Sequence, residues 1–311
     1  MTELTGQMVR ELYLRISNWG RWGSDDELGA LNYISKSKRL EAAALIREGE
    51  AIGCGRIVDT VPSPMNNRPA KHFMAAAGDL APERGAGVTY DEFSIFPHGQ
   101  AQSHIDAWCH ISNDRKMYNG RPASLVTSAG AKVGDMISAG DAIVSRAVFL
   151  DVADARGAEF IEPDAPIRPA DLDRAVEQAG VEPGEGDILI YRTGRHERRA
   201  ALGGECERLP DGRGHLPGLY PDCLEWIHDR KIALIGSDCA HDVLPSPISG
   251  EFIPIHVGAE VYMGLLLLHN LRLDALREAC RKHDRRAFFF AVSPLQIAGG
   301  TASPVNPLAM L

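Results

Sequence analysis

Residues 98–111 read HGQAQSHIDAWCHI. The even-numbered positions carry polar or metal-binding side chains, whereas the odd-numbered positions are small or apolar. In a β-strand, alternate side chains point to opposite faces. An extended backbone would therefore bury one wall and place the even-numbered side chains on the other, among them His98, His104, Asp106, Trp108 and His110. Surface strands rarely carry so many potential ligands, so we expect the chemistry of the protein in this stretch.

The bulk composition excludes several classes of partner. The chain has 311 residues and a formal net charge of −9, and its basic residues are scattered. Nucleic acid is not expected as a partner, because phosphate binding needs a basic patch. The longest strongly apolar run, residues 261–268, is too short to span a bilayer, so no membrane partner is expected.

Two further features predict a cytoplasmic protein. The first 20 residues mix charges throughout and lack the apolar stretch of a signal peptide. The six cysteines include no CxxC pair and show no regular spacing, so reduced thiols are expected.

Apolar patterns predict a mixed α/β fold. Helical periodicity is found over residues 11–22, 36–47, 169–179, 221–229 and 273–282. Short apolar runs with polar flanks predict strands over residues 147–151, 187–191, 232–235 and 287–292. Residues 195–219 are predicted to be a loop able to cover a site, and residues 294–311 an irregular tail. The elements interleave without strict βαβ spacing, which favours one mixed α/β domain.

The triplet His104-Ile105-Asp106 is the first candidate metal motif. Imidazole and carboxylate together suit Zn²⁺, Mn²⁺ or Fe²⁺. On a strand the two side chains share one face, about 6–7 Å apart along the chain. The same triplet also fits a purely structural histidine–aspartate pair. His110 lies on the same face and is a third ligand, a general base or a half-buried structural histidine.

Further candidate ligands lie far away in the sequence. His256 follows an apolar segment, and His269 follows four leucines. His241 and Asp242 come shortly after a Gly-Ser-Asp turn. Each of these is either an ordinary residue at the end of an element or a ligand supplied from a separate segment. No glycine-rich phosphate loop and no G-x-S-x-G elbow occurs in the sequence.

At these residues the chain resembles the metal-dependent cyclase/hydrolase family that includes bacterial kynurenine formamidase and isatin hydrolase. The longer branch of that family runs His-Gly-x-x-x-x-His-x-Asp-Ala-x-x-His, and Tyr-Asn-Gly follows soon after. This chain matches it at residues 98–99, 104, 106–107, 110 and 118–120. Further matches are residues 149–153, 192–194, 236–238, 254–256 and 299–307. The resemblance runs from about Asn18 to the C-terminus.

The resemblance implies a swivelling β/β/α cyclase-like fold with a mixed sheet. We expect residues 51–311 to form this metal-dependent hydrolase domain and residues 1–50 to form a helical extension packed on it. The expected partners are a small-molecule substrate and further copies of the chain in a dimer or tetramer.

The resemblance also implies roles for individual residues. His104 and Asp106 would bind the metal, His256 would be a distal ligand, and His110 would be the general acid/base. The implied site holds one or two ions of Zn²⁺ or Mn²⁺, and two departures from the family pattern favour one ion.

Two departures from the family pattern bear on the metal site. Gln100 stands where the shorter branch has a ligand histidine. His269 stands where the family usually has a glutamate before Asn-Leu, so a negative charge is lost. Both residues remain candidate ligands.

Three side chains are candidates for contact with the substrate. Trp108 stands where the shorter branch has proline, and it narrows the pocket, stacks on an aromatic substrate or simply packs. His98 matches the longer branch without an assigned metal role, and Phe73 lies in the extended region that precedes the motif.

The predicted function is hydrolysis of a C–N bond in an aryl formamide or cyclic amide, with lactones as further substrates. Metal-activated water would attack the carbonyl, and His110 would transfer the proton. One alternative is a non-haem iron oxygenase. His104, Asp106 and His256 also match the two histidines and one carboxylate that bind iron in such enzymes. The other alternative is a binding protein with a degenerate site, which the departures at Gln100 and His269 motivate.

Overall fold

A computed structural model describes residues 3–140 and 142–311 of the chain. Its α-helices are α1 (Gly6–Arg15), α2 (Lys36–Ala43), α3 (Val152–Ala155), α4 (Pro169–Ala179), α5 (Arg195–Leu202), α6 (Cys223–Asp229), α7 (Pro254–His256) and α8 (Asp274–Lys282). A π-helical segment, Val257–Met263, continues directly from α7. Among the described residues, no helix combines the length and the apolar character needed to span a bilayer.

Most strands are short, and the longest runs over Ile143–Asp151. They are β1 (Ala51–Gly53), β2 (Lys71–Ala76), β3 (Tyr90–Ser94), β4 (His104–Asp106), β5 (Val126–Thr127), β6 (Gly130–Ala131), β7 (Ile143–Asp151), β8 (Ile188–Arg192), β9 (Leu234–Ser237), β10 (Leu266–His269), β11 (Ala287–Val292), β12 (Ala302–Pro304) and β13 (Leu308–Met310). Single 3₁₀ turns lie at Gly29–Tyr33, Gly78–Leu80, Tyr118–Gly120, Ala123–Leu125, Met136–Ala139 and Gly204–Glu207.

One mixed sheet organises the molecule. Its nine strands run in the order β1-β13-β11-β7-β8-β9-β10-β4-β12. The four central strands from β7 to β10 are parallel, whereas the flanking strands pair antiparallel. The carboxyl ends of parallel strands meet at one edge, where open α/β sheets bind ligands. This edge carries the residues that follow β8, β9 and β10.

Both faces of the central strands are buried. In β8, Leu189 and Tyr191 join one apolar cluster, whereas Ile188 and Ile190 join the cluster on the opposite face. A strand buried on both faces is a continuous apolar run, which is why this strand is visible in the sequence.

Both N-terminal helices end earlier than predicted, and the first also begins earlier. The prediction of a helix over residues 11–22 is wrong in its bounds, because α1 begins at Gly6, after the Thr5 side chain caps the backbone N–H of Met8. The predicted helix over residues 36–47 ends at Ala43. Buried side chains of α1 pack into the same apolar cluster as the central strands.

Two segments predicted to lack regular structure contain it. The predicted loop 195–219 begins with α5, and the Asp238 carboxylate accepts hydrogen bonds from the first backbone N–H groups, those of Gly194 and Arg195, at 2.8 and 3.2 Å. A carboxylate in that position stabilises a helix N-terminus. The predicted irregular tail 294–311 contains β12 and β13, which pair with distant strands and are too short to show a pattern.

The hairpin of β2 and β3 stands apart from the main sheet. Its residues are exposed along almost the full length of both strands. The exposed side chains include large apolar ones: Phe73, Met74, Tyr90 and Phe93. An isolated two-stranded hairpin is marginally stable in water, so this one is expected to need further contacts.

Candidate metal centre

Strand β4 carries the first two candidate ligands. It lies between β10 and β12, where His104 pairs with His269 and Asp106 pairs with Ala302. His104 and Asp106 are 2% and 1% exposed, and Ile105 between them points into the core. The extended stretch predicted over residues 98–111 is therefore a strand only at these three residues. The rest of the stretch is held by turns and by contacts with other segments.

Asp106 belongs to two groups of possible metal ligands. The first group is Asp106, His256, Glu260 and His269, and the second is Asp106, His98 and His110. Within each group the ligand atoms lie within 4.8 Å of one another. Asp106 can therefore contribute to one ion or bridge two.

Two imidazoles approach Asp106 closely. The Nε2 atom of His269 is 2.9 Å from Oδ2, and the Nδ1 atom of His98 is 2.9 Å from Oδ1. Neither ring nitrogen has a partner in hydrogen-bond geometry among the described residues. Burial raises the pKa of Asp106, but the rings of His104 and His269 outweigh it and hold that pKa well below its usual range. The carboxylate is thus ionised, with lone pairs available to a cation.

Glu260 was not among the sequence candidates. It lies in the π-helical segment and is fully buried, and neither carboxylate oxygen has a hydrogen-bond partner among the described residues. Burial, together with the charges of Asp106 and Asp242, raises its pKa well above the usual range. The available signal was its spacing of four residues from His256, which places both side chains on one side of a helical turn.

His256 is oriented by a carboxylate behind it. Its Nδ1 atom makes a short hydrogen bond to Asp242, which also accepts the backbone N–H groups of Ile255 and His256 at 2.8 and 3.2 Å. This arrangement leaves Nε2 as the ligand atom. Carboxylates commonly orient metal-binding histidines in this way. Burial lowers the pKa of His256, but the hydrogen bond and charge of Asp242 outweigh it and raise that pKa.

His104 is fixed in the tautomer that a ligand needs. Its Nδ1 atom lies 2.9 Å from the carbonyl oxygen of Gln102 and donates to it, so Nε2 is left free. Nε2 is 3.7 Å from Asp106 Oδ1, and the ring stacks on His269 at a centroid distance of 4.5 Å. Burial lowers the pKa of His104, which keeps the ring neutral at neutral pH.

His110 lies at the open side of the cluster. Its side chain is 27% exposed, and Nε2 is 3.9 Å from Asp106 Oδ2. Its ring stacks on His98 with a centroid distance of 3.8 Å. Burial lowers the pKa of His110 to about 4, so the ring is neutral and can accept a proton at neutral pH.

Two other candidates have different surroundings. The ring nitrogens of His241 are both engaged at 2.9 Å, with the Tyr191 hydroxyl and the Leu268 carbonyl, so this histidine has no lone pair left for a metal. The side-chain oxygen of Gln100 is buried without a hydrogen-bond partner among the described residues, and this residue stays a predicted ligand.

The structure does not bring the two predicted aromatic substrate contacts into the cluster. Trp108 is 1% exposed, packs in the core and donates from Nε1 to the Gly264 carbonyl at 2.8 Å. Because the strand ends at Asp106, the alternation that placed Trp108 on the ligand wall no longer applies. Phe73 lies on the β2–β3 hairpin and is 60% exposed.

A buried arginine supports the loop that precedes His104. Arg195 donates to Asn270 Oδ1 at 2.6 Å and to the Gln100 carbonyl at 3.0 Å, and its Nε donates to Glu207 at 2.6 Å. Asn270 in turn donates to two carbonyls of the same loop. The segment predicted to cover the site therefore helps to hold a ligand-bearing loop from behind.

Comparison with known proteins agrees with this description. The sequence profile of the cyclase family matches residues 40–241. A protein whose crystal structure is described as that of a novel cyclase is 26% identical to this chain in sequence. The two structures match with a TM-score of 0.84, over 96% of this chain and 99% of that chain. Among proteins with curated descriptions, none matches this chain significantly.

Two isatin hydrolase structures share the fold at lower identity. One, bound to the product analogue thioisatinate, is 18% identical with a TM-score of 0.60 over 89% of this chain and 99% of its own. Isatin hydrolase A from Labrenzia aggregata, bound to benzyl benzoate, is 19% identical with the same TM-score and the same two coverages. The predicted mixed α/β cyclase-like fold is confirmed, and the chain belongs to the cyclase family.

Proposed function

We propose that this protein is a metal-dependent hydrolase that cleaves the C–N bond of an aryl formamide or cyclic amide, or the ester bond of a lactone. One observation carries the proposal: two carboxylates, Asp106 and Glu260, converge with imidazoles in a buried cluster, and within the described residues neither of them pairs with a Lys or Arg. Buried carboxylates without cations are costly, so they are paired or they coordinate metals. The isatin hydrolase structures, which share the fold, support the choice of reaction class.

The side chains present fit a divalent cation. Asp106, His256, Glu260 and His269 would hold it, and the orphaned atoms of Glu260 are the ones that such an ion would satisfy. Nitrogen and oxygen donors without a thiolate suit Zn²⁺ and Mn²⁺. One ion is proposed for this group; His98 and His110 offer a second position beside the same Asp106. The bound cation would supply Lewis acidity, which polarises a carbonyl and acidifies water.

His110 is the proposed proton carrier. It is neutral at neutral pH because burial lowers its pKa to about 4, so it can accept the proton of the attacking water. The same ring can then donate that proton to the leaving nitrogen or oxygen. Its partial exposure places it where a substrate can reach it, whereas His104 and His269 are closed off.

The ligand set favours the hydrolase over the alternative oxygenase. Non-haem iron oxygenases use two histidines and a single carboxylate and keep several positions open. Here a second carboxylate, Glu260, lies in the same group and would fill one of those positions on a bound ion. The unpaired donor atoms argue against a degenerate site, because an unused site has no reason to keep buried carboxylates without partners.

We also propose that the protein is a homo-oligomer in the cytoplasm. The β2–β3 hairpin, with Phe73 and Phe93 at 60% and 69% exposure, supports self-association, because exposed apolar patches of this kind mark interaction surfaces. Phe73, predicted as a substrate contact, would meet another subunit in such an assembly.

Metal analysis coupled to a hydrolysis screen tests the proposed function. The protein is purified without chelators, its Zn and Mn content is measured, and formanilides, isatin-like lactams, cyclic imides and lactones are offered. Turnover that is lost on chelation and restored by Zn²⁺ or Mn²⁺ is expected. A protein that binds neither ion, or that turns over no member of the panel when loaded, would contradict the proposal.

A further inference from the structure

A cavity of about 420 Å³ lies beside α5, at the carboxyl ends of β8 and β9. Its lining includes three arginines, Arg56, Arg192 and Arg272, and contains none of the residues of the metal centre. We propose that this cavity binds a small organic carboxylate, with Arg56 as its main charged contact. The proposal is independent of the hydrolase function, since it concerns a separate site.

The acidic groups of the cavity are already engaged or face solvent. Glu197 pairs with Arg192 at 2.7 Å, and Arg192 also pairs with Asp151 at 2.8 Å. Asp274 is 71% exposed and lies 3.8 Å from Arg272.

Asp238 is the third acidic residue of the cavity lining. It accepts from the backbone N–H and hydroxyl of Thr193 and from the backbone N–H of Gly194, each at 2.8 Å. None of the three carboxylates is therefore left to neutralise Arg56.

Arg56 has no ion-pair partner among the described residues. Within the described part of the chain, no carboxylate lies within 4.0 Å of its guanidinium. Its side-chain partner is His196, whose Nδ1 lies 3.0 Å from the Arg56 Nη1. The Nε2 of His196 lies 3.2 Å from the Leu271 carbonyl and donates to it, so Nδ1 accepts from Arg56.

His196 adds no charge of its own to the cavity. Burial, together with the neighbouring charges of Arg56 and Arg195, lowers the pKa of His196 to about 3, so the ring is neutral. Because a single ring nitrogen occupies one of the five guanidinium N–H donors, Arg56 keeps the capacity for a two-point contact with a carboxylate.

The remaining lining favours an organic ligand over a bare inorganic ion. Ile57, Ala200 and Leu273 add apolar surface beside the guanidinium groups. Ligand pockets of this size commonly combine apolar walls with a few charged groups that fix orientation. An aliphatic or aromatic body would contact these side chains, and its carboxylate would pair with Arg56.

Calorimetric titration with phenylacetate and with its neutral analogue phenylacetamide tests the proposal. The full-length protein is titrated as purified and again after dialysis against a chelator. We expect saturable 1:1 binding of phenylacetate in both states, and phenylacetamide weaker by at least about tenfold. Binding that disappears with the metal would place the ligand at the metal centre and overturn the proposal.

Two variants separate the cavity from the rest of the surface. Arg56→Gln should weaken phenylacetate binding by at least about tenfold. Ala200→Phe changes an exposed position of α5 and should block the cavity without disturbing the core, which covers the case in which Arg56→Gln fails to fold. Arg213→Gln, a surface arginine paired with Asp211, serves as the control and should bind normally. Unchanged binding in Ala200→Phe or in folded Arg56→Gln, equal binding of the amide, or no saturable binding would each overturn the proposal.

Discussion

The Nε2 atom of His269 lies 2.9 Å from the Oδ2 atom of Asp106, because β10 and β4 are paired with His269 directly opposite His104. Although the two atoms are close, their approach does not have the geometry of a hydrogen bond. Two metal-ligand groups that lie close together without a hydrogen bond between them are the arrangement expected around a common ion. Since paired strands fix both residues, the site is organised before any metal arrives.

Replacing Glu260 should have opposite effects on the metal-free and metal-loaded protein. Glu260→Gln removes a buried carboxyl whose pKa is raised above that of the unfolded chain, so at pH 7 the metal-free protein should gain roughly 1–3 kcal/mol of stability. Metal affinity should fall by more than about tenfold, because a charged ligand is lost. Chemical denaturation and metal titration measure the two effects.

Glu225→Gln is the matched control for Glu260, because Glu225 is 52% exposed and pairs weakly with Arg15 at 3.4 Å. It should change neither quantity measurably. If Glu260→Gln binds metal as tightly as the unaltered protein, Glu260 is not a ligand.

Replacing His110 should stop turnover without removing the metal. His110→Gln takes away the proposed proton carrier, and kcat should fall by about 10²–10⁴-fold. The metal content and the folded state should be kept, because the buried ligands are untouched. His228→Gln, at a histidine of α6 that is 23% exposed and far from the ligand cluster in sequence, provides the control. Full turnover in a metal-loaded His110→Gln protein would rule out this role.

The sequence predicts the part of the site that is local. His104 and Asp106 are two residues apart on a strand, and the alternation of polar and apolar residues is sufficient to place them on one wall. The same alternation assigned Trp108 to that wall, and it failed there because the strand ends at Asp106. Periodicity cannot locate the end of a three-residue strand, which here is set by pairing with β10 and β12.

The remainder of the site depends on contacts between distant segments. His269 reaches Asp106 only through the pairing of β10 with β4, which no local pattern encodes. Glu260 lies among apolar residues of the π-helical segment, and its spacing of four residues from His256 is a signal only once both are known to lie on one helix. Strands β7, β8 and β9 were predictable because they are buried on both faces and are therefore apolar runs, whereas β10 was not predicted as a strand.

Metal affinity should rise with pH through the titration of His256. Asp242 raises the pKa of this ring above its ordinary value of 6.5, and a metal binds only the neutral ring, so binding releases a proton. The raised pKa stabilises the metal-free fold fully below about pH 6.5, and this contribution is lost as the pH rises through the folded-state pKa. Affinity should therefore increase by up to about tenfold per pH unit until that pKa is passed.

Asp242→Asn provides the comparison, because the amide oxygen can still accept hydrogen bonds while the charge is removed. The rise in affinity should move to lower pH in this variant. Titration calorimetry in two buffers with different ionisation enthalpies measures the released proton directly. A proton count of zero between pH 6 and 7 would contradict the assignment of His256.

The exposed hairpin predicts how the protein behaves in solution. Light scattering during size-exclusion chromatography should give the mass of a dimer or tetramer. Phe93→Asp places a charge on the hairpin at a side chain that is 69% exposed, and it should shift the mass towards that of a single chain. Leu14→Asp changes an equally exposed residue, at 70%, on α1 and should leave the assembly intact. A charge disturbs an assembly only where it falls on apolar surface buried between copies. The hairpin would therefore be excluded as the contact if the unaltered protein ran as a monomer. It would also be excluded if Leu14→Asp broke the assembly and Phe93→Asp did not.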